Sequence, residues 1–225
     1  ANTAKSAFLA NMSHELRTPL TLISGPVRQL LQRSSVELEE QQLLQLIRQN
    51  SEHLLQKVKY MLDLAKLEAK QLELHPRQMD LRRFFEQQLS LFTSLARTQK
   101  IDLQLEQRYA GELWLLIDEE KLSTIVQNLL SNALKYTPSG GRVLLRWSTD
   151  AEQLMIEVID SGGGIPAEDL PQVFNRFYQV RKTNREGDGG TGIGLALTRE
   201  LVELMGGLIG VESSSETGSR FWIRL

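Results

Sequence analysis

His14 is followed at once by Glu15, then by Thr18 and Pro19, in the run Phe8-Leu-Ala-Asn-Met-Ser-His-Glu-Leu-Arg-Thr-Pro-Leu20. Imidazole is a nucleophile near neutral pH, and a neighbouring carboxylate can take or orient its other ring proton. A second group of chemistry-bearing residues lies far downstream. In Gln127-Asn-Leu-Leu-Ser-Asn-Ala-Leu-Lys-Tyr136, the side chains of Asn128, Asn132 and Lys135 are three or four residues apart and share one helix face. Two amide oxygens and a cation on one face suit a hydrated Mg²⁺ with its phosphates. The run Asp160-Ser-Gly-Gly-Gly-Ile-Pro166 stands where an apolar strand ends. Its glycines allow the backbone close to a flat ligand, and its carboxylate can accept from an exocyclic amine. Finally, Gly187-Asp-Gly-Gly-Thr-Gly-Ile-Gly-Leu195 opens a helix, where backbone N–H groups bind phosphate. It is not a P-loop, since no Gly-Lys-Ser/Thr follows, and it lacks the dinucleotide fingerprint. Taken singly, each segment has a plainer alternative: a solvated helix face, a glycine turn, a flexible linker.

The elements that must position these groups fall into two halves. In residues 1–75, apolar positions recur at helical spacing: Leu9, Met12, Leu16, Leu20, Ile23, Val27 and Leu30, then Leu43, Ile47, Leu54, Val58, Met61 and Ala65. Each set forms one stripe near a coiled-coil period, and Ser34-Ser35 reads as the turn between them. The first half is thus an expected helical hairpin, whose stripe a second copy would cover in a dimeric four-helix bundle. Asn50 falls on the seam, where it either fixes register or is a tolerated defect. Pro19 and Pro26 favour bends in the first helix, and Pro19 either loosens the helix beside His14 or is a mere irregularity.

After His75-Pro76 the pattern changes. Helices are expected over Leu81 to about Lys100, Glu119–Tyr136 and near Ile193–Met205. Strands are expected over Ile101–Leu105, Leu113–Ile117, Arg142–Ser148, Leu154–Asp160, Leu208–Ser213 and Arg220–Leu225. No regular βαβ repeat runs through them, so residues 76–225 predict an α+β sandwich with a mixed, mainly antiparallel sheet. Trp114, Trp147 and Trp222 lie in strand patterns and are expected to pack. Met12 and Met61 are expected in the core, and His53 and His75 in solvent.

Composition narrows the classes. The chain has 225 residues, 41% hydrophobic and 24% charged, with a net charge of -2, so no basic field suggests nucleic-acid binding. There is no cysteine, which excludes disulfides and thiolate metal sites and fits a reducing, cytoplasmic compartment. No apolar run approaches the ~20 residues that cross a bilayer. The chain opens Ala1-Asn-Thr-Ala-Lys5, already in helical pattern, which reads as an excised fragment and leaves a membrane anchor in the parent protein open.

In order and spacing, the opening run and the three downstream segments, with Phe174-Asn-Arg-Phe-Tyr178 between the last two, resemble the conserved boxes of sensor histidine kinases. Glu216-Thr-Gly-Ser-Arg-Phe221 resembles the last glycine turn of the same family. The resemblance spans nearly the whole chain. It implies a dimerisation and phosphotransfer hairpin (1–75) followed by a catalytic ATP-binding domain (76–225) of the gyrase–Hsp90–kinase–MutL type, the Bergerat fold. It implies that His14 accepts the phosphoryl group of ATP, that Glu15 is its acid–base partner, and that Thr18 positions water when the phosphate is removed from the partner. Asn132 with Asn128 would hold Mg²⁺, Lys135 would meet phosphate, Tyr136 would border the adenine or ribose, and Asp160 would accept from the adenine amine. Gly162, Gly164, Ile165, Gly190, Thr191, Gly192, Gly194 and Leu195 would line the pocket. The implied partners are a second copy of the chain and the receiver domain of a response regulator.

Two positions depart from the family pattern. Asn175 stands where an acidic residue is common, and Gln179 where a basic one is common; Arg181, Lys182 or Arg185 could replace the latter. Relatives that hydrolyse ATP carry a glutamate at the position of Asn128, and an amide cannot act as that base. The resemblance therefore favours a kinase over a gyrase-like or chaperone-like ATPase. A non-catalytic dimeric signalling module is the rival from another class.

Overall fold

The computed structural model describes residues 21, 23–25, 27–30, 38–69, 71–108, 114–149, 153–176, 178–180 and 192–225. The chain divides into two compact units, Ala1–Leu72 and Glu73–Leu225.

In the first unit the described residues of 21–30 are helical, and α1 runs over Leu38–Glu68 for 31 residues. Val27 and Leu62 are buried, and Arg28 and Arg48 both reach Glu52, at 3.8 and 3.1 Å. Ile23, Leu30, Leu43, Ile47 and Leu54, five members of the expected stripes, stay exposed, as does Leu46. The expectations for Met12, Pro19 and Pro26, and for the side chains of Asn50, His53 and Met61, lie outside the described residues.

The second unit opens with β1 (Arg77–Asp80), followed by α2 (Leu81–Gln99), β2 (Asp102–Gln107), β3 (Trp114–Ile117) and α3 (Glu119–Tyr136). Then come β4 (Arg142–Thr149), β5 (Leu154–Asp160), α4 (Gly194–Leu204), β6 (Leu208–Ser214) and β7 (Gly218–Arg224). Aspartates start two helices. Asp80 accepts from the N–H groups of Arg82 and Arg83, and Asp118 from Lys121 N–H, supplying partners that the first turn lacks. Asp118 also accepts from the His75 N–H at 2.8 Å, while the His75 side chain is exposed.

The main sheet has five strands in the order β2-β4-β5-β7-β6. β2 and β4 are parallel and the other pairs antiparallel. Register sorts residues by face, because cross-strand partners point the same way. One face carries Val143, Leu145, Trp147, Ile156, Val158, Phe221 and Ile223, all buried, and packs under α2, α3 and α4. Trp147 stacks on Phe85 of α2, with ring centroids 5.2 Å apart. It is 1% exposed, so Trp147→Ala is expected to cost about 3–5 kcal/mol of stability. Denaturant unfolding with a fluorescence-independent probe measures that loss.

The opposite face carries charges of alternating sign. Arg146 of β4 lies between Glu106 (2.9 Å) and Glu157 (3.6 Å), and Arg220 of β7 between Glu157 (2.6 Å) and Glu212 (2.8 Å). These pairs link all five strands and oppose a slip of register.

Two features differ from the sequence reading. β1 pairs with β3 as a separate two-stranded sheet, and its Arg-Gln-Met-Asp offers only Met79 to a core. Trp114, expected to pack, is 52% exposed, because alternation along β3 turns Ile117 inward and Trp114 and Leu116 outward. Trp147 and Trp222 do pack, the latter across Gly210, where a Cβ would meet the indole at 2.3 Å.

Candidate functional site

The core face of the sheet turns polar at one end. Asp160 of β5 is paired with Ser219 of β7, and Ser219 with Ser213 of β6, so a carboxylate and two hydroxyls lie side by side across three strands. Asp160 is 5% exposed. Burial pushes its carboxyl pKa up, opposed by hydrogen bonds from the Gly162 N–H (2.9 Å) and from the Ser219 N–H and hydroxyl. A buried carboxylate held by fixed donors is pre-oriented as an acceptor, and it costs free energy until a ligand donor meets it.

The loop after Asp160 is held by close backbone approach. A Cβ on Gly162 would lie 2.7 Å from the Tyr136 carbonyl oxygen, so glycine alone lets the loop press against the end of α3. Gly164 has φ +67, and its Cβ would come within 2.0 Å of the Ser214 carbonyl oxygen. Ile165 N–H donates to Ser213 Oγ at 2.8 Å, and the Ser213 hydroxyl donates to the Gly218 carbonyl at 2.9 Å. The β6–β7 turn thereby clamps the glycine loop.

Helix α3 is the spine of the site. At its C-terminal end, Tyr136 is 49% exposed, with the Lys135 ammonium 5.3 Å from its ring centroid. One turn back, Asn132 is half-buried. Another turn back, Asn128 is 6% exposed and meets the start of α4. Its Nδ2 donates to the Gly194 carbonyl and to Thr198 Oγ1, both at 3.3 Å. The residues fit a hard divalent cation on one observation: the NH₂ of Asn128 is given to two acceptors of α4, which leaves its oxygen, beside Gly194, as the ligand atom, and hard cations take oxygen ligands. A Cβ on Gly194 would sit 3.8 Å from the Asn128 side chain, an ordinary contact.

The segment before α4 is anchored from three sides. Tyr178 Oη donates to Asp169, Arg176 pairs with Glu200 of α4, and the Phe174 ring meets Phe221 edge-on at 6.3 Å.

The structure thus brings Tyr136, Asp160 and Gly162 together at one end of α3, and Asn128 and Gly194 at its middle. Ile165, Gly192 and Leu195 are half-buried on the adjoining loop and helix start. His14, Glu15, Thr18, Gly190 and Thr191 lie outside the described residues. Ser213, Ser219 and Thr198 were not singled out from sequence. Only Ser219 carried a signal, standing in the glycine turn at Gly218.

Known proteins similar to this chain include histidine kinases. Residues 4–70 match the His Kinase A (phospho-acceptor) domain, and residues 117–225 match the histidine kinase-, DNA gyrase B-, and HSP90-like ATPase family. The circadian input-output histidine kinase CikA of Synechococcus elongatus is 41% identical over 99% of this chain and 30% of its own length. The sensor histidine kinase TmoS of Ectopseudomonas mendocina is 37% identical over 100% of this chain and 23% of its own. The crystal structure of full-length ShkA in complex with AMPPNP superposes with a TM-score of 0.78 at 30% identity, covering 97% of this chain and 45% of that one. The chain belongs to the histidine kinase family, with a phospho-acceptor segment followed by an ATP-binding segment. It spans less than a third of the length of these curated relatives. No helix among the described residues is long and apolar enough to cross a membrane.

Proposed function

We propose that this chain transfers the γ-phosphoryl group of ATP to a ring nitrogen of His14 and passes it on to an aspartate of a response-regulator receiver domain. Residues 1–75 act as the dimerisation and phosphotransfer hairpin, and residues 76–225 as the catalytic domain. The exposed Leu43, Ile47 and Leu54 support a second copy as the cover of the hairpin stripe.

In the transfer, the unprotonated nitrogen of His14 bonds to the γ-phosphorus as the bond to the β–γ bridging oxygen breaks and ADP leaves. Glu15 accepts a hydrogen bond from the other ring nitrogen and stabilises its growing positive charge. Asp160 accepts from the adenine amine, Tyr136 borders the base, and the Gly162–Ile165 loop lines the pocket. Lys135 meets phosphate, and the backbone around Gly190, Thr191, Gly192, Gly194 and Leu195 cradles it. Mg²⁺, held through Asn128 and Asn132, would offset phosphate charge. Thr18 would position water for the reverse task of dephosphorylating the regulator. Transfers of this kind depend mainly on positioning and charge neutralisation.

The observation that carries this reading is the side chain at 128. Its amide is hydrogen-bonded into α4 and provides no base to activate water, so bound ATP waits for another nucleophile. Incubation with γ-labelled ATP and Mg²⁺ is the test. Acid-labile, base-stable label on the protein supports the kinase. Free phosphate without labelled protein supports an ATPase, and nucleotide binding with neither supports a signalling module.

A pH dependence follows from Asp160. Its raised pKa means that the empty fold gains from protonation, a contribution present at low pH and lost as pH rises through the folded value. Nucleotide binding has the opposite sign, because the amine is bound by the carboxylate. Affinity is expected to fall on acidification at a higher pH than an ordinary aspartate would give. Calorimetric titration across mildly acidic pH checks this, and Asp160→Asn should lack the dependence.

A further inference from the structure

We infer that Thr198 is a positioning residue that fixes which end of the Asn128 amide faces the nucleotide. Thr198 is 0% exposed, a hydroxyl in the otherwise apolar buried face of α4. A buried hydroxyl needs a stated reason. Its Oγ1 lies 2.9 Å from the Gly194 carbonyl one turn back, which can only accept, so the single hydroxyl proton goes there. Oγ1 can then act toward Asn128 only as an acceptor.

Asn128 therefore meets two acceptors on its α4 side, the Gly194 carbonyl and Thr198 Oγ1, and its NH₂ has two donors to match them. Turning the amide over would set its oxygen against the Gly194 carbonyl and strip Thr198 of its donor. The amide is locked with Nδ2 on both acceptors and Oδ1 beside Gly194, 3.8 Å from where a Cβ on that residue would stand. This is the orientation that a cation or a phosphate-bound ion requires, since a hard cation takes oxygen and rejects an NH₂. The same cradle disfavours a carboxylate at 128, because the oxygen in the place of the NH₂ would face both acceptors unless Thr198 gave up its bond to Gly194.

The inference rests on the proposal that Asn128 serves the Mg²⁺–phosphate site. The test is equilibrium binding of AMPPNP to the full chain, titrated with Mg²⁺ and repeated in EDTA. Thr198→Val keeps the shape and removes the acceptor. It is expected to weaken binding in Mg²⁺ about tenfold, the usual scale for losing a residue that orients a metal ligand. In EDTA it should stay near wild type, and Thr198→Ser should match wild type in both. Thr198→Ala gives the same comparison should the valine variant misfold. Equal weakening with and without Mg²⁺ would mean a structural role only and overturn the inference. So would a wild-type Mg²⁺ response in Thr198→Val while Asn128→Ala loses it, a result that leaves the Asn128 reading standing. A wild-type Mg²⁺ response in Asn128→Ala itself would remove that reading and the inference with it.

Discussion

Replacing His14 by glutamine is expected to abolish protein-bound label from γ-labelled ATP while leaving nucleotide affinity at its wild-type value. Glutamine keeps a polar side chain of similar reach but has no nucleophilic nitrogen, because its amide lone pair is delocalised into the carbonyl. The bond to phosphorus cannot form, and a loss of at least about a thousandfold is the expected scale when a positioned nucleophile is removed. The residues proposed to hold nucleotide lie on α3, the loop after β5 and the start of α4, all in the other compact unit, so binding has no reason to change. Filter-bound acid-labile label and a parallel binding titration separate the two effects. A variant that loses both together would mean that residue 14 supports folding or binding and is not the acceptor.

The second large effect is expected for Asp160→Asn. The two side chains are nearly equal in shape, but their hydrogen-bond chemistry differs. Asp160 accepts from Gly162 N–H and from both the N–H and the hydroxyl of Ser219. An asparagine must bring its NH₂ to one side of the carboxyl, against a Ser219 donor or against the adenine amine. It also removes the charge that strengthens each of those bonds. A hydrogen bond to a charged group contributes about 1.5–3 kcal/mol, so nucleotide affinity should fall roughly tenfold to a hundredfold. Sedimentation should show unchanged self-association, because the hairpin is untouched. Unaltered nucleotide affinity would sink the adenine assignment.

Much of the framework was legible because it rests on local patterns. The stripe of α1, the helical spacing of α2 and α3 and the apolar runs of β4 and β5 all act within a few residues of themselves. The glycines at 162 and 164 were legible as a loop near a ligand, but not for their reasons. One faces the Tyr136 carbonyl and the other the Ser214 carbonyl, contacts made by chain segments far away in sequence. The Asp160–Ser219–Ser213 row was hidden for the same cause: only the register of three strands sets these residues side by side. Thr198 left no trace, since a threonine inside an apolar helix reads as tolerated. Its meaning comes from Asn128, which lies 70 residues away. β1 escaped because Arg77-Gln-Met-Asp80 holds one apolar residue and borrows its stability from β3. Trp114 misled because an indole in a strand pattern does not reveal which way alternation will turn it.

Locating the transferred phosphate is the most direct check on the central claim. The chain would be incubated with ATP and Mg²⁺, digested without acid, and its phosphopeptides sequenced by electron-transfer fragmentation. The account predicts one phosphoramidate, on the imidazole of His14. Phosphate released to solvent with residue 14 unmodified would contradict it.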